Sequence, residues 1–205
     1  MTPTPPLIGI TGRAGSGKST AANWFLRNHV QVMKLSFARP LKRMIYELIR
    51  EALPKTWHIK PADYIENPAL KNEPIPFLGN HTPRHLMQTL GTEWGRNSVH
   101  EDFWVAIAAG KVERLLGNGF KKGDSIPIKA IFDDLRFANE AFMVRAYGGI
   151  VLRIERPGDA NPAIAAHPSE RFDFEDDVTI VNDGTIEDLE AKLAALWPPT
   201  VKPKG

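Results

Sequence analysis

Residues Gly12-Arg13-Ala14-Gly15-Ser16-Gly17-Lys18-Ser19 satisfy the spacing G-x-x-x-x-G-K-[ST] in full. Each residue type has a chemical reason to stand where it does. The glycines let consecutive backbone N–H groups point inward around a phosphate. A helix opening near Lys18 adds its positive end to the same anion. Lys18 can reach the β- and γ-phosphates, and the Ser19 hydroxyl can ligate Mg²⁺. An apolar run, Leu7 to Thr11, precedes the turn and a helical pattern over 19–28 follows it, the context that such a cradle requires. The pattern therefore implies a bound nucleoside triphosphate on residues 12–20, with Thr20 in the first helical turn, and does not by itself name the class.

The remaining chemistry separates the classes of triphosphate-binding protein. A guanine-reading Asn-Lys-x-Asp is missing, which excludes a typical GTPase. The apolar run 126–132 ends in Asp133-Asp134, and one of these carboxylates is suited to hold Mg²⁺ directly or through water. A kinase acting on a hydroxyl needs a carboxylate base, whereas an acceptor phosphate is already anionic. Bringing two sets of phosphates together instead demands arginines, which are planar, permanently charged and bidentate. At helical spacing, Arg84, Gln88, Gly91, Thr92 and Gly95 share one face, opposite Leu86, Met87, Leu90 and Trp94. Arg84 on that face suits a phosphate, and Gln88, donor and acceptor at once, suits a base edge. After Arg153-Ile154-Glu155-Arg156 comes an irregular stretch with His167, Ser169, Glu170 and Arg171, then acidic residues 173–177. Such an arginine-bearing flap suits a lid that excludes water from the reacting phosphates. His167 has no second histidine at ligand spacing, so a metal role for it is not expected.

Several blocks resemble the bacteriophage deoxynucleoside monophosphate kinases. They are Thr82-Pro83-Arg84-His85-Leu86-Met87-Gln88-Thr89-Leu90-Gly91-Thr92-Glu93-Trp94-Gly95-Arg96 with Asp102-Phe103-Trp104-Val105, and Asp134-Leu135-Arg136-Phe137-Ala138-Asn139-Glu140. Ser36-Phe37-Ala38-Arg39-Pro40-Leu41-Lys42 is similar to that family's acceptor-side entry, and residues 153–158, 167–170 and 181–185 also match. Arg39 departs from the family, where an acidic residue is expected. The resemblance covers most of residues 7–196 and is weakest over 54–81. It implies transfer of the ATP γ-phosphoryl to a deoxynucleoside monophosphate, with ATP and Mg²⁺ required. It implies Lys18, Arg136, Arg153 and Arg156 as catalytic cations, and Ser19 with Asp134 at the metal. Phe37, Lys42, Arg84, Gln88, Thr92, Trp94, Asp134, Arg136, Glu140 and Arg171 are implied to bind the acceptor, and Asn182 and Gly184 to line the ATP base. The partners implied are nucleotides, without nucleic acid or membrane, and the resemblance leaves room for a homodimer in the cytoplasm of a host cell.

These residues need elements to hold them. Apolar runs alternate with helical patterns: strands at 7–11, 30–35, 126–132, 150–155 and 178–181, helices at 19–28, 38–53, 82–96, 102–116, 137–147 and 186–197. This βαβ order predicts a three-layer α/β domain, a five-stranded parallel sheet flanked by helices. Within one domain over 1–205, the core is expected at 7–36, 120–155 and 177–197, the acceptor-binding region at about 37–119, and the lid at about 156–176. Residues 54–81, rich in Pro, Lys and Asn with no clear period, read as a long insertion, and 198–205 as a frayed tail. The chain of 205 residues is 42% hydrophobic, carries net charge +2 and has no cysteine. That excludes global disorder, a nucleic-acid coat, disulfides and thiolate metal sites. Two rivals share the cradle: a dephospho-coenzyme A kinase or other small-metabolite kinase, with Asp133 as base, and an ATP-binding regulator or motor subunit without an acceptor.

Overall fold

The computed structural model describes residues 5–117, 128–158 and 172–200. The chain divides into two compact units, Met1–Phe37 with Ile107–Gly205, and Ala38–Ala106.

The first unit is built on a five-stranded sheet in the order β2-β3-β1-β4-β5. Its strands are β1 (Leu7–Thr11), β2 (Met33–Leu35), β3 (Ala130–Phe132), β4 (Ile150–Glu155) and β5 (Val178–Val181). All pairings are parallel. Every residue of β1 is buried, as expected of a central parallel strand covered on both faces. Side chains alternate across that strand. Ile8 and Ile10 meet Ala21, Trp24 and Phe25 of α1 (Lys18–Asn28) and Leu189 and Leu193 of α7 (Ile186–Leu196) in one core. Gly9, on the opposite face, lies against Leu135 and against Val144 of α6 (Ala138–Ala146). Helices thus cover both faces, which gives the three-layer α/β architecture. Trp24, Phe25 and Trp197 pack edge to face at 5.1 and 5.4 Å. Burying each such ring stabilises the unit by about 2–3 kcal/mol.

Strand and helix positions follow the sequence reading closely, with three informative differences. β2 begins at Met33 rather than Val30, because Gln31 takes a left-handed φ of 58° and turns the chain. β3 begins at Ala130 rather than at 126: Ile128 and Lys129 precede the strand, and 126 and 127 lie outside the described residues. The tail is tied at its start: Thr200 N–H donates to Asn28 O at 2.8 Å, and Thr200 Oγ1 accepts from Val30 N–H at 3.2 Å.

In the second unit, α2 (Arg39–Ala52) buries Leu41, Ile45 and Ile49 on one stripe. The supposed irregular insertion is folded onto it. α3 (Pro61–Glu66) buries Tyr64 and Ile65. Trp57 Nε1–H donates to Tyr64 Oη at 2.8 Å, and the Phe77 ring meets Trp57 edge-on at 5.2 Å. Ile75, fully buried, donates its N–H to His81 O at 3.0 Å. Trp57, Tyr64 and Phe77 make an aromatic cluster at irregular intervals, so no period betrays it.

The helix predicted over 82–96 is two helices in series. Thr82 caps α4 (Pro83–Gln88) by accepting from His85 N–H at 3.1 Å, as its sequence indicates. Thr89–Val99 then forms a π-helix. The cause is an inserted indole. Trp104, at the start of α5 (Phe103–Leu116), donates Nε1–H to Gly91 O at 2.7 Å. A Cβ on Gly95 would lie 2.5–2.8 Å from that ring, so only glycine admits it. His100 N–H reaches back five residues to Gly95 O at 3.1 Å. This changed register overturns the helical-face assignment: Gly95 is buried beneath Trp104, and Trp94, expected on the core face, is 40% exposed. Among the described residues no helix is long and apolar enough to cross a membrane.

Candidate active site

All parallel strands of the first unit end at one edge of the sheet, so the segments leaving them gather there. The turn after β1 carries φ of +138° at Gly12, +83° at Gly15 and +108° at Gly17. A Cβ on Gly12 would sit 2.2 Å from Ile154 O, which no side-chain rotation relieves. A Cβ on Gly15 meets nothing within 4 Å among the described residues, which leave that side of the turn open. Arg13, Ala14, Gly15 and Ser19 are exposed, Lys18 and Thr20 are half-buried, and α1 starts at Lys18. Lys18 Nζ donates to Gly12 O at 2.7 Å and Arg13 O at 2.5 Å, holding the ammonium over the turn. Ser16 is 1% exposed, and its Oγ and that of Thr11 have no hydrogen-bond partner among the described residues. Buried hydroxyls without partners at a glycine turn that leads into a helix N-terminus fit a polyphosphate.

The carboxylates after β3 have separate engagements. Asp133 pairs with Lys34 at 2.5 Å. Asp134 accepts from Ser36 Oγ at 2.6 Å and from Phe37 N–H at 3.1 Å. Phe37 itself is buried and stacked on Phe132 at 4.6 Å, so its ring serves the core while its backbone holds Asp134. Leu135 N–H donates to Ile10 O at 3.3 Å, tying this segment to β1. Glu140, 3% exposed, accepts from Arg136 N–H at 2.7 Å and Phe137 N–H at 3.1 Å. Its carboxylate therefore fixes the backbone on which Arg136 stands.

Arg153 pairs in register with Thr11, the residue before the glycine turn. Its Nε–H donates to Asp176 Oδ1 at 2.6 Å and its Nη2–H to Phe174 O at 3.1 Å. Burial raises the Asp176 pKa, but bonds from Thr179 and Arg153 and the guanidinium charge outweigh it and hold the carboxyl below its ordinary value. Arg156 follows β4 and is exposed. Arg171, with His167, Ser169 and Glu170, lies outside the described residues. Asn182 Nδ2–H donates to Ser16 O at 2.8 Å in a buried bond. Gly184 precedes a cap in which Thr185 and Asp188 bond reciprocally. The Asn182–Ser16 link and the use of Glu140 are missed by sequence reasoning. A Glu at the third position of a helix, where its side chain reaches back to the N-cap backbone, is the sequence signal for the latter.

The acceptor-side candidates stand in the second unit. Arg84 Nε–H donates to Asn72 Oδ1 at 2.8 Å, and its backbone N–H to Lys71 O at 3.0 Å. Gln88 ends α4 and Thr92 lies in the π-helix, both half-buried. Trp94 packs edge-on to Phe103 at 5.5 Å. Lys42 pairs with Glu66 at 3.2 Å. Among the described residues no cluster of three or more His, Cys, Asp or Glu forms. A Mg²⁺ that takes most of its ligands from phosphate and water asks little of the protein, and Ser19 and Asp134 have the hydroxyl and carboxylate chemistry such an ion accepts, Asp134 while also accepting from Ser36 and Phe37.

A glycine turn with a lysine between the first strand and its helix, and carboxylates leaving the neighbouring strand of a parallel sheet, define the P-loop class of α/β nucleotide-binding proteins. Residues 54–193 match the family described as Deoxynucleotide monophosphate kinase, and the chain belongs to that family. A protein of Acanthamoeba polyphaga mimivirus, provisionally named for that activity, is 29% identical over 91% of this chain and 93% of its own. The deoxynucleotide monophosphate kinase of Escherichia phage RB69 is 31% identical over 54% of this chain and 42% of its own. The deoxynucleoside-5'-monophosphate kinase of Escherichia phage T5 is 38% identical over 31% of this chain and 22% of its own. The chain is an ATP-dependent enzyme of nucleotide phosphoryl transfer, and its acceptor is a deoxynucleoside monophosphate.

Proposed function

We propose that the glycine turn binds the ATP polyphosphate and that Lys18 follows the transferring phosphoryl group as its charge develops. Backbone N–H groups aimed beforehand at that charge lower the barrier because they need not reorganise during reaction. Ser19 and Asp134 would hold Mg²⁺, which when bound neutralises phosphate charge. Arg136 faces the reacting phosphates from a backbone that Glu140 pins. Arg153, braced by Asp176, and Arg156 supply further positive charge. Arg84 holds the acceptor phosphate, Gln88 reads the acceptor base, and Lys42, Thr92 and Trp94 complete that pocket. Gly184 borders the ATP base, and Arg171 closes with the lid over 156–176. The acceptor oxygen is anionic, so no base is required and the in-line attack proceeds once the charges are offset. The compartment implied is the host cytoplasm, which holds both nucleotides.

The observation that carries this reading is the glycine turn itself, open at Gly15 and closed to any side chain at Gly12. The hydroxyl-kinase rival needs Asp133 as base, and that carboxylate is instead engaged by Lys34 at 2.5 Å. Steady-state kinetics of Arg84→Ala and Arg136→Ala test the roles. Arg84→Ala is expected to raise KM for the deoxynucleotide about 10-fold or more with kcat less changed, and Arg136→Ala to lower kcat about 100-fold. Wild-type constants in both variants would remove these assignments.

A further inference from the structure

We infer that Asn182 is a positioning residue for the phosphate cradle: by holding the Ser16 carbonyl it aims the Gly17 N–H at the polyphosphate, whatever base the nucleotide carries. The inference rests on the reading of residues 12–19 as that cradle and adds a residue that acts through it.

A trans peptide is planar, with C=O and N–H on opposite sides. Fixing the direction of the Ser16 carbonyl therefore fixes that of the Gly17 N–H. Asn182 Nδ2–H donates to Ser16 O at 2.8 Å, and Asn182 is 8% exposed. The amide orientation is determined, because an oxygen in place of Nδ2 would face a carbonyl oxygen at that separation. On this inner side a Cβ at Gly17 would meet Asn182 Nδ2 at 2.7 Å and Leu189 Cδ2 at 3.2 Å, so no ligand fits there. The Gly17 N–H, on the opposite side of that peptide from the Ser16 carbonyl, consequently points away from Asn182.

Asn182 is itself held firmly. Its N–H donates to Glu155 O at 2.7 Å, fastening it to the end of β4. On either side of it, Lys192 Nζ donates to Val181 O at 2.8 Å and Asp183 Oδ1 at 2.6 Å. That ion pair keeps the Asp183 carboxyl below its ordinary pKa, through its Lys192 hydrogen bond first. One side-chain N–H of Asn182 is thus given to the turn, and a donor aimed beforehand is worth more than one that must be oriented on binding.

The test is calorimetric binding of ATP, GTP and inorganic tripolyphosphate, each with Mg²⁺, to wild type, Asn182→Ala and Asn182→Asp, with melting curves for each variant. Asn182→Ala is expected to weaken all three ligands by a common factor of about 5–20. Asn182→Asp keeps the shape but removes the donor when ionised. Its defect relative to wild type should be larger at pH 8 than at pH 5.5, where a protonated carboxyl, its pKa raised by burial against a carbonyl, donates again. This pH ratio also carries the comparison should the alanine variant not fold. Weakening confined to ATP would make Asn182 a base contact and overturn the inference, as would unchanged binding of all three. If wild type binds no tripolyphosphate and Lys18→Ala matches wild type for ATP, the cradle reading itself fails. That outcome is distinct from a failure of Asn182 alone.

Discussion

Removing the Glu140 carboxylate should unlock the backbone that carries Arg136. The structure sets the size of the effect. Glu140 is 3% exposed and accepts two backbone N–H groups, from Arg136 at 2.7 Å and Phe137 at 3.1 Å. A hydrogen bond to a charged group contributes about 1.5–3 kcal/mol, and a buried donor left without a partner costs about 1–3 kcal/mol. The two bonds share one oxygen and are not additive, so Glu140→Ala should cost about 3–5 kcal/mol of unfolding free energy. Glu140→Gln retains a carbonyl acceptor of the same reach and should cost about 1–2 kcal/mol. Urea unfolding followed by tryptophan fluorescence measures both. Phosphoryl transfer, assayed well below the melting temperature, should fall in the same order as Arg136 loses its anchor. If Glu140→Ala were within 0.5 kcal/mol of wild type, a threshold set by ordinary surface substitutions, the carboxylate would not be fixing that turn.

Two further perturbations probe other parts of the account. Gly95→Ala places a methyl 2.5–2.8 Å from the Trp104 ring. It should destabilise by about 1–3 kcal/mol, with the indole emission of Trp104 altered, and an unperturbed urea midpoint would contradict the inserted-ring origin of the π-helix. His29 is 6% exposed among Trp24 and Phe25, and burial, partly offset by a bond with the Trp197 backbone, lowers its pKa below 6.5. The unfolded chain then binds more protons than the native one, so stability is complete above 6.5 and declines as pH falls below it, toward the lowered native value. In His29→Gln that part of the pH slope should vanish; an unchanged slope would assign it to other groups.

Much of the first unit was legible because its signals are local. The glycine turn is a contiguous pattern, and β1, β4 and β5 are short apolar runs bounded by turns, so all three fall at the predicted residues. The Thr82 cap followed from Thr-Pro alone. What escaped was set by distant partners. Trp104 converts Thr89–Val99 into a π-helix from outside that segment, and a face drawn at 3.6 residues per turn then misplaces Trp94 and Gly95. Trp57, Tyr64 and Phe77 form an aromatic cluster without periodicity, so 54–81 reads as irregular. In the site, residue types were readable but engagements were not. Nothing in the order of the chain indicates that Asp133 pairs with Lys34 while Asp134 takes Ser36 and Phe37, nor that Asn182 reaches Ser16.

The most direct test follows ADP release by wild type and Lys18→Ala, in the presence of Mg²⁺, against a panel of deoxynucleoside and ribonucleoside monophosphates. The account predicts that ADP forms rapidly only when a deoxynucleoside monophosphate is present, in equal amount to the diphosphate product, and that Lys18→Ala slows this about 100-fold or more. ADP formation indifferent to every monophosphate, or an alanine variant as fast as wild type, would contradict transfer from the glycine cradle.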